Sequence, residues 1–303
     1  MKSPLVTLLN TLDHLPIPGY WRLRRFINNR RYLHLQETPY LDGKILASPL
    51  MKMERDLVNG SLYEPVIIQT IQHFVREGFN FIDVGANIGL HTLAAAFASR
   101  GGAAHDDTIT VHAFELEPFT FSRLSTHIRL NQLHQVAAHP VGMGEREGTL
   151  RLNIAVSRNN GNHTLIEREG TLPGPTVRIS TMDKELLPAT LAEVPHLVKI
   201  DVEGFEASVL RGGKTWLARQ QQLALIIECS PHLLAVQNET VQNLIALLDA
   251  AGFENYYVIL DPETFDAQGN STDPSYNMLC LKGDYAQAVF DKADESHYRA
   301  AVR

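Results

Sequence analysis

Residues 80–91 have the sequence NFIDVGANIGLH, and this stretch decides the fold. An apolar segment, 81–84, is followed by Gly85 and Gly89 with Asn87 between them. A buried strand that passes through a glycine-rich turn into a helix is typical of nucleotide-binding parallel sheets. Asn87 stands where a dinucleotide-binding loop has its middle glycine, and asparagine tolerates left-handed backbone geometry. The stretch predicts a ligand loop at the carboxyl end of a core strand.

Strand-like and helix-like segments alternate from about residue 61 onward. This alternation predicts an α/β, Rossmann-like fold with a mostly parallel sheet and helices on both faces. The predicted helices are 61–76, 88–99, 118–131, 206–217 and 240–251, and the predicted strands are 79–84, 108–115, 136–143, 149–154, 176–181, 196–202, 223–229, 256–260 and 277–281. Residues 1–60 show no sustained period. They are predicted to form a mostly helical extension, with helices at 4–13 and 19–29, that caps an acceptor pocket beside a domain at 61–303.

Composition narrows the function classes. The chain has 303 residues, 44% of them hydrophobic, and a net charge of −7, which argues against a general nucleic-acid binder. Its two cysteines lie in apolar strand-like segments and are predicted to be buried thiols. No apolar stretch approaches the ~20 residues that a membrane span needs. The first residues make a poor secretion signal, and a cytoplasmic location is expected.

Two acids at strand ends indicate the kind of ligand. Asp83 precedes Gly85 by two residues and would repel a pyrophosphate, but it suits a cationic ligand or the amides of the loop. Glu115 ends the next strand and can accept both hydroxyls of a ribose, which alone does not choose between cofactors. S-adenosylmethionine carries a sulfonium and an α-amino group and no phosphate. The loop therefore favours this methyl donor over a dinucleotide.

A second acidic cluster follows a later strand, in the segment HLVKIDVEGFE. Three carboxylates meet at one strand–helix junction, and such repulsion is tolerated where amides absorb the charge or where the charge has a function. Glu206 lies in the first turn of the next helix, and its charge is predicted to be stabilised by the N-terminal amides of that helix. Asp201 and Glu203 remain as candidates for a general base or for holding a divalent cation. The structural alternative is that Asp201 caps a helix and Glu203 pairs with Lys199 or Arg211.

Further candidates lie near the same sheet edge. Glu228 ends an apolar strand, where a lone acid is unusual. His91, in the first turn after the glycine loop, His163, in a polar loop, and His232 are candidate bases because imidazole titrates near neutrality. No HxxxH or CxxC spacing announces a metal site, so no metal ligands are assigned.

These motifs together resemble the FkbM family of methyltransferases. The shared blocks are FIDVGANIGLHTL, AFELEP, GEREGTL, NNGNHTL, ISTMD and LVKIDVEGFEASVLRGG, in the family's order over about 61–230. The resemblance implies a class I S-adenosylmethionine-dependent fold with a seven-stranded sheet and O-methylation of a hydroxyl on a sugar, glycan or small natural product. It places Asp83, Gly85, Asn87 and Gly89 in the cofactor loop, Glu115 at the ribose, and Asp201, Glu203 and Gly204 beside the methyl-transfer centre. Leu116 departs from the proline that is common in the family.

The sequence therefore predicts a methyltransferase with a small-molecule or carbohydrate acceptor, and no nucleic-acid partner or membrane span. The candidate cofactor contacts are Asp83, Gly85, Ala86, Asn87, Gly89, His91, Glu115 and Leu116. The candidate catalytic residues are Asp201, Glu203, His163 and Glu228. Two alternatives remain at this point: a nicotinamide-dependent oxidoreductase on a related sheet, and a non-catalytic binding module that keeps the fold.

Overall fold

The computed structural model describes residues 35–49, 51–101, 109–155, 165, 171–187, 194–266, 270–271 and 274–301. Its strands are β1 Gln36–Tyr40, β2 Gly43–Ala47, β3 Asn80–Val84, β4 Val111–Phe114, β5 Val136–His139, β6 Gly142–Met143, β7 Gly148–Ala155, β8 Thr171–Ser180, β9 His196–Ile200, β10 Leu223–Cys229, β11 Asn255–Ile259, β12 Tyr276–Lys282 and β13 Tyr298–Ala300. Its α-helices are α1 Lys52–Val58, α2 Pro65–Arg76, α3 Leu90–Gly101, α4 Pro118–Leu130, α5 Met182–Leu186, α6 Glu206–Gly212, α7 Lys214–Arg219, α8 Pro231–Val236, α9 Val241–Ala251 and α10 Asp284–Phe290. A short 3₁₀ helix, Glu295–His297, precedes β13. Among the helices of these residues, none is long and apolar enough to cross a bilayer.

The main sheet has eight strands in the order β13-β11-β12-β10-β9-β3-β4-β5. The strands from β10 to β5 are parallel, whereas β12 runs antiparallel between β10 and β11. This confirms the predicted α/β, Rossmann-like class; β13 adds an eighth strand to the seven that were expected. The chain leaves β3 toward β4 on one side and returns as β9 on the other. Ligands of open parallel sheets bind at such a switch point.

The central strands are buried from end to end. Every residue of β3 and β9 is buried, which suits strands that are covered by helices on both faces. Both cysteines, Cys229 and Cys280, are free and buried, as predicted. Helix α2 buries one apolar stripe and starts at Pro65, four residues later than predicted. Proline is favoured at a first helical position, where its missing N–H group is not needed.

Two predicted elements are interrupted for identifiable reasons. The strand predicted over 136–143 divides into β5 and β6 around Pro140, because proline has no N–H group to donate to a neighbouring strand. The helix predicted over 206–217 divides into α6 and α7 at Gly213. A Cβ atom at Gly213 would lie 2.7 Å from the Met182 sulfur, so a larger residue would collide with α5 at this point.

The described part of the N-terminal extension contains a β hairpin, β1 and β2, followed by α1. The hairpin differs from the mostly helical prediction; the helices predicted at 4–13 and 19–29 lie outside the described residues. Tyr40 and Ile45 are buried in the same apolar core as the main sheet. A buried ion pair between Glu54 and Arg123 also ties α1 to α4. The boundary at residue 60 stays a prediction.

A smaller three-stranded sheet, in the order β6-β8-β7, accounts for the interruption of the alternation between 148 and 182. β7 and β8 pair antiparallel and correspond to the strands predicted at 149–154 and 176–181. β6 pairs parallel with β8 and follows β5 directly. The smaller sheet thus leads away from the edge strand β5, and Met143 at the end of β6 lines the cleft described next.

Candidate active site

The glycine loop has the predicted geometry. Gly85 has a φ of +89°, and a Cβ atom there would lie 1.9 Å from the carbonyl oxygen of Asp201, so only glycine fits. Asn87 has a φ of +50° and takes the left-handed middle position, as predicted. Its side-chain oxygen accepts a hydrogen bond from the Ile88 N–H at 2.9 Å. The loop is therefore held close against the residue that follows β9.

Glu115 joins the loop to the next turn. Its two carboxylate oxygens accept hydrogen bonds from the Asn87 N–H at 2.9 Å and from the Glu117 N–H at 2.7 Å. Burial raises the pKa of Glu115 to about 7. Glu117 in turn caps α4 by accepting from the Thr120 N–H. Leu116 is half-buried and lines the same cleft.

Asp83 lies beneath the loop, and it is not among the residues that line the cleft. It is 1% exposed, and its Oδ2 atom accepts a hydrogen bond from the Thr92 hydroxyl at 2.6 Å. Burial raises its pKa. Gly89 also lies behind the cleft surface, because a Cβ atom there would meet Leu124 at 2.5 Å. Both residues shape the start of α3, and their direct contact with a cofactor stays a prediction.

The second acidic cluster contains an ion pair. Asp201 accepts a hydrogen bond from the Lys199 ammonium at 2.7 Å. Burial opposes the charged form of each partner, but their mutual attraction prevails and leaves the pKa of Asp201 below and that of Lys199 above its ordinary value. The structural alternative considered from sequence pairs Glu203 with Lys199 or Arg211. In the structure, Lys199 pairs with Asp201, and Arg211 pairs with Glu239.

Glu206 accepts from backbone amides, but those of Val202 and Gly204 lie in the turn before α6 and not at the helix N-terminus that was predicted. Its Oε1 atom accepts from the N–H groups of Val202 and Gly204 at 3.1 and 3.2 Å. The side chain is fully buried, and burial raises its pKa to about 7. Glu203 adopts a left-handed backbone conformation, with a φ of +54°, and Gly204 follows with a φ of +96°. This pair of residues turns the chain from β9 into α6.

The remaining candidates are distributed unevenly. Glu228, at the end of β10, lines the cleft, and burial followed by repulsion from Asp201 raises its pKa well above the ordinary value. His91 also lines the cleft, in the first turn of α3. His232 is exposed and lies outside the cleft lining, with its Nδ1 atom 3.2 Å from the Ser230 hydroxyl. His163 lies outside the described residues.

One cleft at the switch point is lined by most of the candidate residues, and its space of about 1100 Å³ includes open solvent at the mouth. The described lining includes six acids and two basic residues, which are Glu64, Glu115, Glu117, Asp201, Glu203, Glu228, His91 and Lys199. Among the described residues, no group of three or more histidine, cysteine or acidic side chains is arranged to hold a metal ion.

Sequence reasoning missed Glu64 and Tyr63 and treated Lys199 only as a partner. Residues 61–64 were assigned to the predicted helix, which hid the fact that Glu64 precedes its first turn. The signal was the Glu-Pro pair, because proline at a first helical position makes the preceding residue a cap. Tyr63 and Glu64 line the cleft from the side of α2.

Comparison with known proteins identifies the family. The model of the Methyltransferase FkbM domain matches residues 83–254, more than half of the chain. The chain belongs to the FkbM methyltransferase family. The FkbM match includes every candidate site residue predicted from sequence, whereas Glu64 lies outside it.

Two curated relatives and one solved structure show the extent of the similarity. Methyltransferase 1 from Beauveria bassiana is 29% identical over 189 residues, which are 56% of this chain and 72% of that protein. Hexuronic acid methyltransferase AglP from Haloferax volcanii is 30% identical over 149 residues, which are 49% of this chain and 56% of that protein. A crystal structure of Methyltransferase FkbM from Methylobacillus flagellatus KT is 17% identical, with a TM-score of 0.43, over 68% of this chain and 44% of that one.

Proposed function

We propose that this FkbM protein transfers a methyl group from S-adenosylmethionine to a hydroxyl group of a sugar, glycan or small natural product. The observation that carries the donor assignment is the charge of the cleft. Its described lining includes six acids, and its lysine, Lys199, is already paired with Asp201. Such a surface attracts a cationic ligand and repels a pyrophosphate.

The residues present fit this donor. Glu115 is the candidate for the ribose hydroxyls, since its carboxylate lies at the tip of β4 and faces the cleft. Buried carboxylate oxygens of Glu64 and Glu228 have no hydrogen-bond partner among the described residues. Buried polar atoms are normally hydrogen-bonded. These two carboxylate oxygens at the cleft surface therefore favour a ligand that donates hydrogen bonds to them. When bound, S-adenosylmethionine would supply an electrophilic methyl carbon, to which the acceptor oxygen would bond as the carbon–sulfur bond breaks and S-adenosylhomocysteine leaves.

Glu228 is the stronger candidate for the base that takes the hydroxyl proton. Its raised pKa makes its carboxylate the more basic group, whereas Lys199 lowers the pKa of Asp201 and weakens it as a base. Asp201 with Lys199 then fixes the strand end beside the reacting groups. Glu203 also lines the cleft and remains a candidate contact for the acceptor.

A hydroxylated acceptor is supported by the relative AglP, whose name describes a hexuronic acid methyltransferase. The cleft wall combines acids with apolar side chains such as Met53, Met143 and Phe205. Acids can accept hydrogen bonds from sugar hydroxyls, and apolar surfaces exclude water from the reacting groups. These properties support a polyhydroxylated acceptor that enters through the open mouth of the cleft.

The experiment that tests the function begins with isothermal titration of S-adenosylhomocysteine and of NAD. Binding of the first without the second supports the donor assignment. Saturation by NAD with no binding of S-adenosylhomocysteine would establish the nicotinamide alternative. Transfer of a labelled methyl group is then measured over a panel of neutral sugars, uronic acids and glycans, with Glu228→Gln as the matched inactive control. Donor binding without transfer to any acceptor would favour the non-catalytic module.

A further inference from the structure

Glu64 is an acid of the cleft that lies outside the residues of the family match. It is 8% exposed and lines the cleft at the entrance to α2. Its Oε2 atom is buried, makes no hydrogen bond to the described residues, and lies 3.1 Å from Nε2 of His91. An acid in this state is costly to bury unless something further satisfies its charge. Glu64 therefore calls for a cationic or donating ligand.

The backbone of Glu64 is also unusual. It has a φ of +47° and a ψ of +60°, which is left-handed geometry for a residue with a long side chain. Six described non-glycine residues share this geometry, and three of them line the cleft: Glu64, Asn87 and Glu203. Strained residues that persist in a fold cluster at ligand sites.

Two other acids hold Glu64 in this geometry. The carboxylate of Glu263 accepts a hydrogen bond from the Glu64 N–H at 3.1 Å. The carboxylate of Asp261 accepts from the Val66 N–H at 2.9 Å and from the Glu263 N–H at 3.1 Å. An acid at a helix start normally caps its own helix, but the side chain of Glu64 makes no such bond. Because Asp261 and Glu263 occupy the amides, the Glu64 carboxylate is left for the cleft.

The position of Glu64 defines the part of the ligand that it would meet. Glu115 lies at the tip of β4 and contacts the loop through Asn87, whereas Asp201 contacts the loop at Gly85 on the β9 side. Glu64 lines the same cleft and lies 3.1 Å from His91, in the first turn after the loop. A donor whose ribose lies at Glu115 and whose chain crosses the loop brings its amino-acid end to this side.

We propose that Glu64 binds the α-ammonium group of the donor's amino-acid end, and that Asp261 and Glu263 are positioning residues for it. The proposal rests on the proposed function. It adds a residue that recognises the amino-acid end, which the full donor carries and 5′-methylthioadenosine lacks. The imidazole of His91 contacts the Glu64 carboxylate and helps to orient it.

The test compares two ligands that differ only in this end. S-adenosylhomocysteine carries the amino-acid end, and 5′-methylthioadenosine lacks it. We expect Glu64→Gln to weaken binding of S-adenosylhomocysteine by about 10- to 100-fold, because a charge-assisted hydrogen bond is lost. Binding of 5′-methylthioadenosine should change by less than about twofold, which also shows that the variant is folded. Glu77→Gln, which removes a half-buried acid paired with Lys292 at the other end of α2, should change neither.

Positioning is tested with a double-mutant cycle. Glu263→Ala alone should weaken binding of S-adenosylhomocysteine. Combined with Glu64→Gln, it should add little further loss, because the effects of coupled residues are not additive. If Glu64→Gln lost affinity equally for both ligands, or for neither, the Glu64 assignment would be overturned and the donor assignment would stand. A wild-type protein that binds neither ligand would overturn the proposed function itself.

Discussion

Lowering the pH should weaken nucleoside binding through Glu115. Burial raises the pKa of this carboxyl to about 7, and only the carboxylate can accept hydrogen bonds from both ribose hydroxyls while it holds the Asn87 and Glu117 amides. The ionised fraction is about 0.9 at pH 8 and about 0.1 at pH 6, and apparent affinity scales with the competent fraction. The dissociation constant should therefore rise about tenfold between these pH values.

The assay is calorimetric titration of 5′-methylthioadenosine at pH 6, 7 and 8 with the wild type and Glu115→Gln. At pH 7, binding should release about half a proton, measured by repeating the titration in buffers of different ionisation enthalpy. The variant should bind about tenfold or more weakly at pH 8 and show no pH trend. A wild-type constant that stays level from pH 8 to 6, or a variant with the same trend, would refute the assignment of Glu115 to the ribose.

Other predictions follow from the same geometry. Glu228→Gln should lower methyl transfer by about 10²–10⁴-fold, as loss of a general base does, and leave S-adenosylhomocysteine binding unchanged in calorimetry. Burial raises the pKa of Glu206 to about 7, so the folded protein holds more protons than the unfolded chain between pH ~4.5 and ~7, and stability falls as pH rises through that window, by at most about 3 kcal/mol. Urea denaturation from pH 5 to 8 should show that this loss is smaller in Glu206→Gln. Gly85→Ala should cost more than ~2 kcal/mol in the same assay because its Cβ meets the Asp201 carbonyl, whereas Gly148→Ala, whose Cβ has open space, is the matched control.

The fold was predictable because its signals are local. The strand predicted at 223–229 coincides with β10, since the apolar segment that fills most of it suits a strand that is buried on both faces. The break at Gly213 depends on a contact with a neighbouring element, as the approach of Met182 to Gly213 shows, whereas the break at Pro140 follows from a proline that the sequence already contains. Apolar periodicity reports neither the contact at Gly213 nor the missing N–H group at Pro140, so both breaks were missed.

The site was predictable where its residues follow strands. Glu115, Asp201 and Glu228 each come at the end of a core strand, and parallel strands bring their carboxyl ends to one edge. Glu64 comes from the helix before the first core strand, and its geometry depends on Glu263, almost 200 positions away. Pairing over such a distance leaves no pattern in a single sequence, and only the proline after Glu64 marked the turn.

The distribution of charge in the cleft suits a reaction in which a positive charge disappears. Acids beside the sulfonium would stabilise the bound donor more than the transition state, in which that charge is dispersing, and would slow the reaction. Asp201, on the β9 side of the loop, is neutralised by Lys199. Glu64 lies where an ammonium that keeps its charge throughout would be held. Glu64 can therefore attract the cationic donor at a distance from the bond that breaks. Donor affinity then increases without lowering the rate of methyl transfer.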